Sequence, residues 1–163
     1  MMKQLYMKQK IFSLSGKFSV TDSGQQDQYF VEGSFMQIPK TFTILDKQRN
    51  EVAHITKKVF SFLPKFFVEV DGREILTIKK ELSFFKGRYT IEDAAIEMRG
   101  DWWDMDFSVY HDGQLIGDVH KKWLSWGDQY EITINDEAFE TILISLVVAI
   151  DCVKASEAAA ASS

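Results

Sequence analysis

Residues Glu137 to Val153 read EAFETILISLVVAIDCV, and this stretch constrains the fold more than any other. It contains no Gly or Pro and is longer than an ordinary strand, so it reads as a helix. Asn135 or Asp136 is the expected N-cap, accepting bonds from the free amides of the first turn. Glu137 and Glu140 fall near the positive end of the helix dipole, and Lys154 near the negative end. At 3.6 residues per turn, Phe139, Ile142, Leu143, Leu146, Val147, Ile150 and Val153 form no single stripe, and Ile144 and Val148 fill the remaining sides. A helix that is apolar all round belongs inside a protein or inside a membrane. The apolar run from Ile142 to Ile150, broken only by Ser145, is too short for a bilayer, which needs about 20 residues. The expectation is therefore a helix buried as the core, followed by a small-residue tail from Ala155.

The chain before the helix is punctuated by turn signals. Phe12 to Thr21, Tyr29 to Phe35, Phe42 to Leu45, Val52 to Thr56, Phe66 to Val70 and Ile75 to Ile78 read as strands. So do Ile91 to Arg99, Phe107 to Tyr110, Leu115 to Val119 and Gln129 to Ile134. Asp71-Gly72 and Asp112-Gly113 lie between apolar runs, the strongest short hairpin signal. Three hairpins share a plan of strand, turn, strand and a Lys-Lys pair: 42–58 ending in Lys57-Lys58, 67–80 ending in Lys79-Lys80, and 107–123 carrying Lys121-Lys122. Some ten to twelve strands are too many for a small open sheet. Closure removes the exposed edges, and the apolar helix is a fitting plug. The predicted fold is mainly β: a closed antiparallel barrel of about twelve strands around a central C-terminal helix. One domain, 1–154, and a flexible tail, 155–163, are expected.

With 163 residues and 45% hydrophobic content the chain can build a core of its own. Its net charge of −5 argues against general nucleic-acid binding. Cys152 is the single cysteine, so an internal disulfide and a multi-cysteine metal site are both excluded. The N-terminus, MMKQLYMKQK, has no apolar run of the signal-peptide kind, and a cytoplasmic protein, peripheral to a membrane if it meets one, is the expectation.

These residues also carry a resemblance. The opening YMKQKIFSLSGKFSVTD, the hairpin with its Asp46 turn and HITKK, and the repeated Asp-Gly hairpins before an apolar C-terminal helix resemble the LURP-one-related (YxjI-like) family. That family belongs to the Tubby C-terminal-like group, with phospholipid scramblases as distant relatives. The resemblance runs from about Leu5 to Val153. It implies a twelve-stranded barrel around a central helix, in agreement with the strand and helix reading. Tubby domains bind phosphoinositide head groups through basic residues, so the resemblance implies a module for anionic lipid. The apolar segment is shorter than that of scramblases and no cysteine cluster accompanies it, which weighs against lipid scrambling.

The chemistry-bearing residues fit a binding module better than an enzyme. Lys57, Lys58, Lys79, Lys80, Lys121 and Lys122 recur at equivalent hairpin positions, and with Lys65, Lys86 and Arg88 they would meet an anionic head group if the hairpins lie side by side. The plainer reading makes them solubilising charges at strand edges. The aromatic-basic stretches 60–67 and 82–88 would touch a membrane interface if exposed, or pack on the core. Asp101, Asp104 and Asp106 are the candidate metal ligands, for calcium, because hard cations take several oxygens; as strand residues Asp104 and Asp106 would share a face. The Gly and terminal Glu of an EF-hand loop are missing. His54, His111 and His120 sit on separate hairpins, and zinc would require them to converge. There is no nucleophile elbow, glycine-rich dinucleotide loop, P-loop or HExxH. The expectation is a non-enzymatic module without a cofactor, its partner an anionic membrane surface, a phosphoinositide or a protein, and not nucleic acid. The alternative is a calcium-dependent, scramblase-like lipid handler. A hollow carrier for an apolar ligand is disfavoured, because a plugging helix would fill the interior.

Overall fold

The computed structural model describes residues 2–8, 17–34, 41–58, 65–70, 73–81, 88–92, 96–124 and 127–161. Among them run twelve strands: β1 (Lys3–Lys8), β2 (Lys17–Asp22), β3 (Asp27–Ser34), β4 (Thr41–Leu45), β5 (Glu51–Lys58) and β6 (Lys65–Val70). β7 (Arg73–Glu81), β8 (Arg88–Glu92), β9 (Ile96–Asp101), β10 (Asp106–His111), β11 (Gln114–Leu124) and β12 (Gly127–Ile134) follow. A 3-10 turn, Glu137–Phe139, leads into α1 (Glu140–Ala161).

All twelve strands belong to one antiparallel sheet of order β8-β7-β6-β5-β4-β3-β2-β1-β12-β11-β10-β9. It is a meander whose two halves join where β1 pairs with β12, from Lys3 opposite Ile134 to Lys8 opposite Gln129. The outermost strands are β8 and β9, and no ladder connects their described residues. The expected single strand over 91–99 is thus two strands on opposite margins of the sheet. Ile91 pairs with Ile78 of β7, whereas Ile96 pairs with His111 of β10. No Gly or Pro marks that parting in IEDAAIEMR. β1, not anticipated as a strand, buries Leu5 and Met7 and turns polar residues outward, the period-two pattern of a half-buried strand.

The sheet wraps around α1. Leu143 to Val153 are buried without interruption, so every side of the helix is covered. The walls are Leu5, Met7, Val20, Val31, Ile44, Ile55, Phe66, Val68, Val109, Val119, Tyr130 and Ile132, all from inward-facing strand positions. Asp136 Oδ1 accepts from the Ala138 amide at 3.0 Å, confirming one of the two expected caps. The helix does not end near Lys154 but runs to Ala161, through most of the segment read as a tail. Alanine, the strongest helix former, fills that last turn.

Tight packing explains Gly117 in β11. A Cβ there would lie 2.6 Å from Leu143 Cδ1 of α1 and 2.8 Å from the Thr133 carbonyl oxygen. The glycine lets the helix approach the sheet. At the β10–β11 turn, Asp112 and Gly113 have φ of 49° and 80°, the two positive angles that an Asp-Gly hairpin turn requires. The expected turn at Asp71-Gly72 lies outside the described residues.

Two turns without a positive-φ glycine use another device. Asp22 Oδ1 accepts from the amides of Gly24 and Gln26, and Asp46 Oδ1 from those of Gln48 and Asn50. The third residue after each aspartate, Gln25 and Arg49, takes φ of 62° and 67°. The aspartate carboxylate thus holds amides that the turn leaves without strand partners.

Candidate functional site: a basic end of the sheet

Strand direction decides where the lysine pairs go. In this meander the odd-numbered strands all run one way and the even-numbered strands the other. α1 enters at the end where β12 finishes. There Glu140 accepts a hydrogen bond from the Tyr29 hydroxyl of β3 and pairs with Lys3 of β1 at 2.9 Å. Lys57-Lys58, Lys79-Lys80 and Lys121-Lys122 close β5, β7 and β11, all odd-numbered, so all six positions lie toward the opposite end. Lys8, Lys17, Lys65 and Arg88 stand at strand termini of that same end. The helix-entry end carries acidic turns instead, with Asp22, Asp27, Asp46, Glu51, Asp112, Asp136 and Glu137. The lysine end also holds Glu81, Asp101, Asp104, Asp106 and Asp128, but its lysines and arginines outnumber these carboxylates, so a net acidic chain has a basic end.

The six lysines do not form one cluster. Lys58 of β5 is the cross-strand partner of Lys65 in β6, and Lys65 is the partner of Lys79 in β7. These three positions form one row across adjacent strands, spanning about 10 Å at the usual strand spacing. Lys57 lies opposite Phe66, its ammonium 6.0 Å from the ring centroid, and Lys80 opposite Tyr89. Lys121 and Lys122 are separated from the row by several strands and have acidic partners. Lys121 Nζ lies 3.0 Å from Asp104 Oδ1, and Lys122 pairs with Glu131. The hydrogen bond from Lys121 lowers the Asp104 carboxyl below its ordinary range, and the bond to Glu131 raises Lys122.

The acidic segment does not have the geometry expected of it. Asp104 belongs to the turn between β9 and β10 rather than to a strand, so it does not share a strand face with Asp106. The cause is local. Asp101 Oδ1 accepts from the Asp104 amide at 3.0 Å, and Met105 turns to a φ of 57° with its side chain buried. Asp104 then faces Lys121, and Asp106 Oδ1 lies 2.8 Å from His120 Nδ1. Among the described residues, no three His, Cys, Asp or Glu side chains converge as a metal site. His54 lies beside Glu51 at 3.1 Å and His111 stacks on Phe139 at 4.6 Å, so the histidines keep to separate hairpins. Most of the aromatic-basic stretches at 60–67 and 82–88 falls outside the described residues; within it, Phe66 is buried in the core.

Two features were not anticipated. A cleft of about 430 Å³ opens where β1 and β2 diverge, lined by Tyr6, Lys8, Phe18, Ser19, Thr21, Gln25, Asp27 and Gln129. Its residues come from four separate segments, so only pairing brings them together. In the interior, the Tyr130 hydroxyl donates to Asp151 Oδ1, and burial pushes that carboxyl up to about 6. The neighbouring Cys152 thiol is raised by the same desolvation. Among the described residues, no helix is long and apolar enough to cross a membrane.

Comparison with known proteins agrees with this architecture. The family model described as LURP-one-related matches residues 3–151. The chain is 32% identical over 149 residues to "Uncharacterized protein YxjI" of Bacillus subtilis (strain 168), covering 91% of each chain. An X-ray structure of a protein from Arabidopsis thaliana superposes with a TM-score of 0.57 at 16% identity, covering 92% of this chain and 91% of that one. At that identity the likeness concerns the fold. With nearly its whole length matched, the chain belongs to the LURP-one-related family.

Proposed function

We propose that this protein is a non-enzymatic binding module: a closed, Tubby-like barrel whose basic end takes the phosphorylated head group of an anionic lipid. Closure would follow from β8 and β9 meeting, the one junction of the meander without a described ladder. The observation that carries the functional reading is the Lys58–Lys65–Lys79 row. Like charges directly opposite each other across strands destabilise a sheet. An anion laid over the row removes that repulsion and gains about 1 kcal/mol per near-surface charge. The acidic turns at the helix-entry end orient the molecule, because they repel the surface that the basic end attracts.

The test is co-sedimentation with vesicles of phosphatidylcholine alone, or with added phosphatidylserine or phosphatidylinositol bisphosphate. Binding should follow the charge of the head group and be strongest for the bisphosphate. Equal recovery on neutral and anionic vesicles, or on none, contradicts the proposal.

A further inference from the structure

Among the described residues β11 is the longest strand, eleven residues, and its C-terminal part outruns β10. Pairing with β10 begins at Asp106 opposite His120, so Lys121 to Leu124 extend beyond the last β10 rung. At about 3.3 Å per residue this is an overhang of about 13 Å. The overhang is braced by β12, with Trp123 opposite Asp128 and Leu124 opposite Gly127. The paired ends of β11 and β12 thus project from the basic end.

Its tip is apolar. Trp123 is 79% exposed and Leu124, the next residue, 36%, while the other exposed large hydrophobic residues among the described ones, Met2 and Leu115, stand at the helix-entry end. Two lysines precede the tryptophan. Lys121 Nζ lies 5.3 Å from the Trp123 ring centroid and 3.0 Å from Asp104, and Lys122 pairs with Glu131. A hairpin held by backbone rungs presents this indole at little further entropic cost.

We propose that the β11–β12 hairpin is a membrane-interface anchor. Trp123 and Leu124 enter the head-group layer of an anionic leaflet, and Lys121 and Lys122 stay at its surface. Indole is suited to that layer, with an apolar body and one N–H for the wet side. Charge complementarity selects a lipid surface, because the tip projects from the same end as the Lys58–Lys65–Lys79 row. The inference rests on the lipid reading above and adds an insertion step to it.

The test uses vesicles of phosphatidylcholine and phosphatidylinositol bisphosphate, with a parallel set whose phosphatidylcholine carries brominated acyl chains. Wild type, Trp123→Ser and Trp123→Tyr are compared after their melting temperatures are shown to match. Leu124→Ser replaces Trp123→Ser if that variant melts early. Wild-type tryptophan fluorescence should be quenched by the bromolipid. Trp123→Ser should lose much of that quenching and bind about ten-fold more weakly, whereas Trp123→Tyr, which lacks the same indole signal, should sediment with an affinity close to wild type. Lysine-dependent sedimentation that is unchanged in Trp123→Ser, with unchanged quenching, overturns the anchor alone. Failure of wild type to sediment overturns the anchor and the lipid reading together, and leaves the tip to a protein partner.

Discussion

The Tyr130 hydroxyl donates a 3.0 Å hydrogen bond to Asp151 Oδ1, joining β12 to α1 inside the core. The carboxyl is one of few polar groups in that interior, and its other charged influence is Lys154, three residues further along the helix. Desolvation outweighs both and raises it from 3.8 to about 6.

A pH dependence follows. The folded state holds the Asp151 proton more tightly than the unfolded state, so this group favours folding below about pH 4. That contribution is lost as pH rises from about 4 through 6. The span corresponds to about 3 kcal/mol. Asp151→Asn cannot ionise, and its side-chain oxygen still accepts from Tyr130. Its stability relative to wild type should therefore climb by about 3 kcal/mol between pH 4 and pH 7 and then level off. Denaturant midpoints taken across that range measure the climb, and a pH-independent difference would refute the assignment.

Leu146 and Ile150 are fully buried one turn apart on the same side of α1. Truncation of either to Ala should cost about 2–5 kcal/mol, because the wrapped sheet cannot collapse into the void. Urea titration of each variant gives the number. A loss near zero would mean that the helix is not the centre of the core.

Gly117 and Leu143 should be energetically coupled, since a Cβ on the former meets the latter at 2.6 Å. Gly117→Ala should destabilise by about 1–3 kcal/mol through overpacking. Adding Leu143→Ala should recover part of that cost but not all, because the Thr133 carbonyl also lies within 2.8 Å. A double-mutant cycle should show coupling of about 0.5 kcal/mol or more; strict additivity would contradict the contact.

The sequence revealed those parts of the fold whose cause is local. The helix was legible because its apolar residues cover every side, and the β10–β11 hairpin because Asp112-Gly113 names its turn. The split between β8 and β9 was not, since nothing in IEDAAIEMR breaks a strand. The turn at Asp46 was placed, but its geometry, like that of the turn at Asp22, depends on Arg49 or Gln25 accepting positive φ, which composition does not signal.

The basic row depends on register. Counting back evenly from Val70 opposite Arg73 would set Lys65 against Ile78. A bulge between Val68 and Glu69 moves the partner by one, to Lys79. The exposure of Trp123 likewise depends on β11 outrunning β10, a difference in strand length that hydrophobic patterning does not record. The lysine pairs were visible from the start; which of them align was not.

The account stands or falls on the salt dependence of binding to vesicles of phosphatidylcholine and phosphatidylinositol bisphosphate, measured for wild type and for Lys58→Gln/Lys65→Gln/Lys79→Gln. Wild-type affinity should fall steeply as salt rises. The triple variant should bind about a hundred-fold more weakly at low salt, with a flatter salt response and a melting temperature no lower than that of wild type. Equal affinities and equal salt slopes for the two proteins would contradict the assignment of the β5–β6–β7 row as the binding surface.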